Sequence, residues 1–147
     1  MTAPEPLDGR NAPTRVALLH CGHQHHPRVA QLVNDFAGET IDIELDDSGN
    51  PADTMLPQLV GCDLILFEAF GPMSPEQNAT LISIRTTSTA PLVLLIGSAR
   101  PDRTINGILA GADAVMPFNT ATDVFVAHCR ALVRRWRSMC SATPAIA

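Results

Sequence analysis

Five short apolar runs, separated by stretches with a helical pattern, constrain this chain more than any other feature. They are Arg15–His20, Thr40–Leu45, Asp63–Glu68, Pro91–Ile96 and Ala112–Met116. Three of them are apolar without alternation, which is the pattern of parallel strands covered on both faces. The second alternates, with Ile41, Ile43 and Leu45 on one side and Asp42 and Glu44 on the other. Its spacing predicts an edge strand with one wet face.

Helical patterns fill the gaps. Residues 27–36 place Pro27 in a first turn and align Val29, Leu32, Val33 and Phe36. Residues 52–60 predict a short helix interrupted by Pro57. Residues 74–85 open with Ser74, Pro75 and Glu76, an N-cap followed by proline and an acidic first turn. Residues 101–110 stop at Gly111. The strongest pattern runs from Thr122 or Asp123 to Arg137, with Phe125, Cys129, Leu132 and Trp136 on one stripe and Arg130, Arg134 and Arg137 on another. A βα unit repeated five times, joined by right-handed crossovers, gives a three-layer α/β fold. It is a doubly wound (βα)5 domain with a five-stranded parallel sheet in the flavodoxin-like order 2-1-3-4-5. Sites in such sheets lie at the carboxyl ends of the strands, here at His20 and Cys21, at Glu68, at residues 96–98 and at residues 116–118.

Composition removes several classes of function. The chain has 147 residues, 46% hydrophobic and 17% charged, with a formal net charge of −5. That is a globular domain, and an acidic one is poorly suited to gripping nucleic acid by itself. All 10 basic residues are arginine, so lysine-dependent chemistry is excluded. Nothing approaches the about 20 apolar residues of a membrane span, and residues 1–14 lack the pattern of a signal peptide. Cys21, Cys62, Cys129 and Cys140 form no C-x-x-C pair and predict reduced thiols in a cytoplasmic protein. The expected organisation is a tail at 1–14, a domain at 15–137, and a tail or the start of a linker to a missing output domain at 138–147.

Asp63-Leu-Ile-Leu-Phe-Glu68 is similar to the third strand of response-regulator receiver domains, where an aspartate ends the D-L-x-x-x-D pattern. Gly107-Ile-Leu-Ala-Gly-Ala-Asp113 resembles that family's G-x-x-x-G-A-D segment, and Ala131-Leu-Val-Arg-Arg135 resembles the end of the fifth helix in receivers of the winged-helix class. The resemblance spans about residues 15–137. It implies a phosphoacceptor at Glu68, an acidic pair at His20 and Cys21, a Thr position at Ile96, a Lys position at Phe118 and a switch aromatic at Val115. One carboxylate remains of that set, and it is the longer one. Magnesium wants oxygen ligands, and phosphoryl transfer wants a metal and a cation. The resemblance therefore implies a pseudo-receiver with no cofactor and no enzymatic activity.

Glu68 reads either as a constitutive mimic of a phosphorylated state or as a polar strand end; Ile96 and Phe118 leave a mimic without a reader. Residues 20–26, with His20, Cys21, His23, His25 and His26, hold metal-ligand types but match no zinc spacing. They read as a solvated loop or helix cap, with no metal expected. The resemblance further implies a two-fold dimer through the fourth helix, fifth strand and fifth helix. Asp113, Arg130 and Arg135 keep matching charge there, while Asn106, Val124 and His128 replace charged residues, so apolar contacts including Val115 have to carry the association. The expected role is an interaction and homodimerisation module in bacterial signalling, independent of phosphorylation. It would act on transcription through an attached DNA-binding domain or on another protein partner, with no direct nucleic-acid contact and no membrane. The alternative is a small-molecule or metal sensor using the strand-end cleft, lined by Ile96 and Phe118.

Overall fold

A computed structural model describes residues 14–21, 27–34, 38–45, 55–69, 73–97 and 100–142. The elements run β1 (Arg15–Cys21), α1 (Pro27–Asn34), β2 (Glu39–Leu45), α2 (Met55–Gln58), β3 (Leu64–Ala69), α3 (Pro75–Thr87), β4 (Leu92–Ile96), α4 (Pro101–Ala110), β5 (Ala114–Pro117) and α5 (Thr122–Ala142). The strands form one parallel sheet in the order β2-β1-β3-β4-β5, as the pattern of apolar runs predicts. Every residue of β3 and β4 is buried, because helices cover both faces. β2 lies at the edge, with Ile43 and Leu45 buried and Asp42 and Glu44 exposed.

Side-chain alternation divides the core in two. Ala17, Leu19, Ile65, Phe67, Leu92 and Leu94 face one way, against Leu59, Leu81 and Ile84. Val16, Leu18, Leu64, Leu66, Val93 and Leu95 face the other way, against Val29 and Val33 of α1 and Phe125, Cys129 and Val133 of α5. Ser74 caps α3 reciprocally: its hydroxyl accepts from the Gln77 amide at 3.1 Å, and the Gln77 side-chain oxygen accepts from the Ser74 amide at 3.0 Å.

Two aspartates tie the strand beginnings together in the same way. The Asp63 amide donates to the Arg15 carbonyl at 2.8 Å, and its carboxylate accepts from the Arg15 amide at 2.9 Å. The Asp113 amide donates to the Leu92 carbonyl at 2.7 Å, and its carboxylate accepts from the Leu92 amide at 2.8 Å. Each carboxylate also takes an arginine from a helix: Arg137 of α5 lies 3.0 Å from Asp63, and Arg85 of α3 pairs with Asp113. Arg85 further donates to the carbonyls of Gly111 at 3.0 Å and Ala90 at 3.2 Å. Gly111 ends α4 with φ +120°, where a Cβ would also come 3.2 Å from that of Arg85.

Two expectations need correction. The fifth helix does not stop at Arg137 but continues through Ala142, so residues 138–142 are helix and not tail. The stripe of Arg130, Arg134 and Arg137 is not uniform: the first two are exposed, whereas the Arg137 side chain is 13% exposed and its guanidinium reaches Asp63.

Asp63→Ala removes the acceptor of a strand-end amide and one half of a largely buried ion pair. It should lower the free energy of unfolding in urea by about 3 kcal/mol, with Asp63→Asn costing less because an acceptor remains. Burial pushes the Cys129 thiol up to about 12 and raises that of Cys62. A thiol raised in the folded state contributes stability that is present below the ordinary value of 9.0 and lost as pH climbs toward about 12. Alkylation at pH 8 followed by mass spectrometry should accordingly label exposed Cys140 in the folded protein, and Cys62 and Cys129 only after denaturant is added.

Candidate functional site

The carboxyl ends of β1 and β3 bring His20 and Glu68 side by side: they are register partners in neighbouring parallel strands, on the sheet face that α1 and α5 cover. Both are buried, Glu68 to 1% exposure and His20 to 4%. The His20 ring nitrogen Nε2 lies 2.8 Å from the Asp42 carboxylate on the edge strand. Phe118, just past β5, is buried among Leu95, Met116 and Phe125 on that same face, and its amide donates to the Ile96 carbonyl at 2.9 Å.

Ile96 points the other way. It belongs to the core formed with α2 and α3 and lines a cleft between α3 and α4. The positions that the family resemblance assigns to one phosphoryl pocket are thus divided between two faces of the sheet. His20, Glu68 and Phe118 lie on one face and Ile96 on the other. Val115 faces α4, where its Cγ2 would meet a Cβ on Gly107 at 2.9 Å. The side chain of Cys21, and His23, His25 and His26, lie outside the described residues.

A magnesium ion does not fit what stands here. It requires nearly octahedral oxygen ligands and keeps several waters. At this strand end the described residues supply Glu68, 1% exposed, beside an imidazole that already engages the Asp42 carboxylate. Among the described residues no group of three His, Cys, Asp or Glu side chains is placed to hold a metal ion.

The second candidate surface is formed by α4, β5 and α5. Val124, His128 and Arg135 are exposed along one stripe of α5, while exposed Arg130 lies on the opposite flank of that helix. Asp113 is engaged within the chain by Arg85 and the Leu92 amide. Asn106 lines the α3–α4 cleft. The sequence reading missed Ile105, Ile108 and Leu109, all exposed on α4 together with Val124 on α5. Their signal is present in the chain as an i, i+3, i+4 apolar set around Gly107, the buried residue that lets α4 approach Leu94 and Val115.

No protein-family profile matches this chain, and no curated protein sequence matches it significantly. Solved structures do. It superposes on the BeF3-activated DrrB receiver domain with a TM-score of 0.63 at 14% identity, covering 84% of this chain and 100% of that one. A CheY-like receiver domain protein from Methanospirillum hungatei JF-1 gives a TM-score of 0.61 at 12% identity, over 87% and 99%. A pilus assembly-related protein from Burkholderia pseudomallei K96243 gives 0.63 at 12% identity, over 80% and 89%. At these identities the likeness is one of fold: the chain has the fold of response-regulator receiver domains. No helix among the described residues is long and apolar enough to cross a membrane.

Proposed function

We propose that this domain is a pseudo-receiver of the winged-helix class, a signalling module that has kept the receiver fold and given up aspartyl phosphorylation. The observation that carries this reading is the state of the acceptor position. Glu68 is 1% exposed, its neighbour on β1 is a histidine held by Asp42, and buried Phe118 stands where the resemblance puts a lysine. An acceptor carboxylate has to meet a phosphoryl donor, a metal and a cation; this one is packed away from solvent. The chain has no lysine to supply the cation.

Its output would then be association, and the α4–β5–α5 surface is the one best suited to it. Ile105, Ile108, Leu109 and Val124 are exposed there, and exposed ion pairs at the rim of such a face contribute only about 0–1 kcal/mol each. A homodimer formed on it depends on apolar contact and only weakly on salt. Such a dimer would control transcription through an attached DNA-binding domain, in the cytoplasm, or would present a surface to another protein. The domain has no enzymatic role in this reading.

Incubation with acetyl phosphate and Mg²⁺ should leave the intact mass unchanged, and beryllofluoride should form no adduct; a stable acyl phosphate on Glu68 would overturn the reading. Val124→Glu should place a carboxylate in the apolar face and convert dimer to monomer in sedimentation velocity, whereas Glu76→Gln at the exposed start of α3 should not change assembly. A dimer that survives Val124→Glu, or dissociates merely on raising the salt, would place the contact or its driving force elsewhere.

A further inference from the structure

The outer side of α5 carries positive charge that the described chain does not answer. Arg130, Arg134 and Arg135 are exposed there, and among the described residues none of the three meets a carboxylate. Arginines elsewhere find acids: Arg15 lies 3.7 Å from Glu39, Arg85 pairs with Asp113, Arg100 lies 3.8 Å from Asp102, and Arg137 reaches Asp63. The one acid of α5, Asp123, stands in its first turn, about 10 Å along the helix axis from Arg130. Helix α1, which covers the same face of the sheet, contributes no acid.

Neither the helix dipole nor pairing within the helix accounts for the cluster. A cation is favourable in the last turn of a helix, against the negative end of the dipole, and the effect fades beyond that turn. α5 runs on to Ala142 and has no basic residue in its last turn. Arg130 stands about three turns short of that end, and Arg134 and Arg135 about two. Arg130 and Arg134 also stand at i and i+4, where like charges disfavour the helix, and no acid one turn away from either offsets them. The fold gains nothing from holding these charges together.

The surface around them suits a facing helix. Ala127, Ala131 and Ser138 form the outermost line of α5, with Arg130 and Arg134 along one flank and Arg135 along the other. Small side chains let a second backbone come close, and the arginines on both sides can then reach its carboxylates. Arg130 and Arg134 are about 6 Å apart along the axis, the interval between acids at i and i+4 of a helix laid against them. We infer that this face docks an acidic helix of a partner protein, with Glu or Asp repeated at each turn. Arginine suits the role because its planar fork meets a carboxylate through two hydrogen bonds. A second copy of this chain does not supply such a helix. Helices α3, α4 and α5 carry one acid each and α1 and α2 none, while Glu39 and Asp42 of β2 face Arg15 and His20. Nucleic acid fits less well, because a chain of net charge −5 repels a phosphate backbone.

Titration of the ¹⁵N-labelled full chain with an alanine-rich helical peptide bearing Glu at every fourth position, and with its Gln and Lys counterparts, tests this. Amide shifts with the Glu peptide should centre on residues 127–138. The Glu peptide should bind about tenfold or more tightly than the Gln peptide and lose affinity severalfold as salt rises. Arg130→Glu combined with Arg134→Glu should lose the Glu peptide and gain the Lys peptide. Arg130→Gln combined with Arg134→Gln should abolish the preference for Glu over Gln and leave the urea midpoint unchanged. Absence of shifts up to about 5 mM peptide, equal affinity for the Glu and Gln peptides, or a lowered urea midpoint would overturn the assignment. So would shifts spread equally over Arg100 and Arg103, or tighter binding of a short DNA duplex at the same arginines. Peptide binding should persist in Val124→Glu, so failure here and failure of the dimer reading remain distinguishable.

Discussion

The free ends of a parallel sheet are its weak point, and this chain secures one of them with a repeated device. Asp63 and Asp113 each use the amide and the carboxylate of one residue to satisfy both backbone groups of the residue that opens, or precedes, the neighbouring strand. Each then hands its carboxylate to an arginine from a covering helix. The first links β3 to β1 and both to α5; the second links β5 to β4 and both to α3. A hydrogen bond to a charged group contributes about 1.5–3 kcal/mol. More than their sum, these contacts fix which residue of each strand comes first, and a one-residue slip in a strand would turn every side chain to the wrong face. The separation of the two apolar cores depends on that register.

All of these contacts lie at the amino ends of the strands, while the positions that carry chemistry in receiver domains lie at the carboxyl ends. The two sets share no residue. His20, Glu68 and Phe118 can depart from the phosphoryl-transfer pattern without touching Asp63, Asp113, Arg85 or Gly111, and the sheet keeps its order. This separation explains how a chain at 12–14% identity to solved receivers superposes over most of its length. It also explains why G-A-D, the most recognisable segment of the sequence, speaks to the fold and not to the reaction. Its aspartate, Asp113, is a strand clamp, and its glycine, Gly111, leaves room for the side chain of Arg85.

The apolar runs made the sheet legible. Uninterrupted runs marked the strands covered on both faces, and the alternation of Ile41, Ile43 and Leu45 marked the edge. Asp63 and Asp113 were visible as motif residues, but their work was not: their arginine partners lie in helices far along the chain, and no local pattern announces such a pair. The end of α5 was misread because its apolar stripe ends at Trp136. A helix ends at a stop signal and not where its buried stripe runs out; the first such signal here is Pro144, which disfavours helix at the residue before it. Glu68, His20, Ile96 and Phe118 were singled out from the resemblance, yet their division between two faces followed only from strand register. The α3–α4 cleft was invisible because Asn78 belongs to α3 while Arg100 and Asn106 belong to α4 and its N-cap, and none of them is part of a motif.

Helix α4 is where the remaining lines of argument meet. Gly107 rests on Leu94 and Val115 so closely that even a methyl group would come within 2.7 Å of one and 2.9 Å of the other. One side of the helix, with Arg103 and Asn106, lines the cleft toward α3, and the other presents Ile105, Ile108 and Leu109 to solvent. At its far end Gly111 is held by Arg85, which also holds the start of β5 through Asp113. A helix seated on a glycine has little slack toward the sheet, and this one is also held at its C-terminus, opposite its N-terminal turns. Those are the turns that line the cleft. A molecule bound there would shift the apolar side of α4 only by as much as it preferred one placement of the helix over another. A partner bound to that apolar side would then change that molecule's affinity by the same factor. The fold thus places that cleft and the exposed apolar side on one short element, seated on the sheet through Gly107 and held by Arg85 at its C-terminal end.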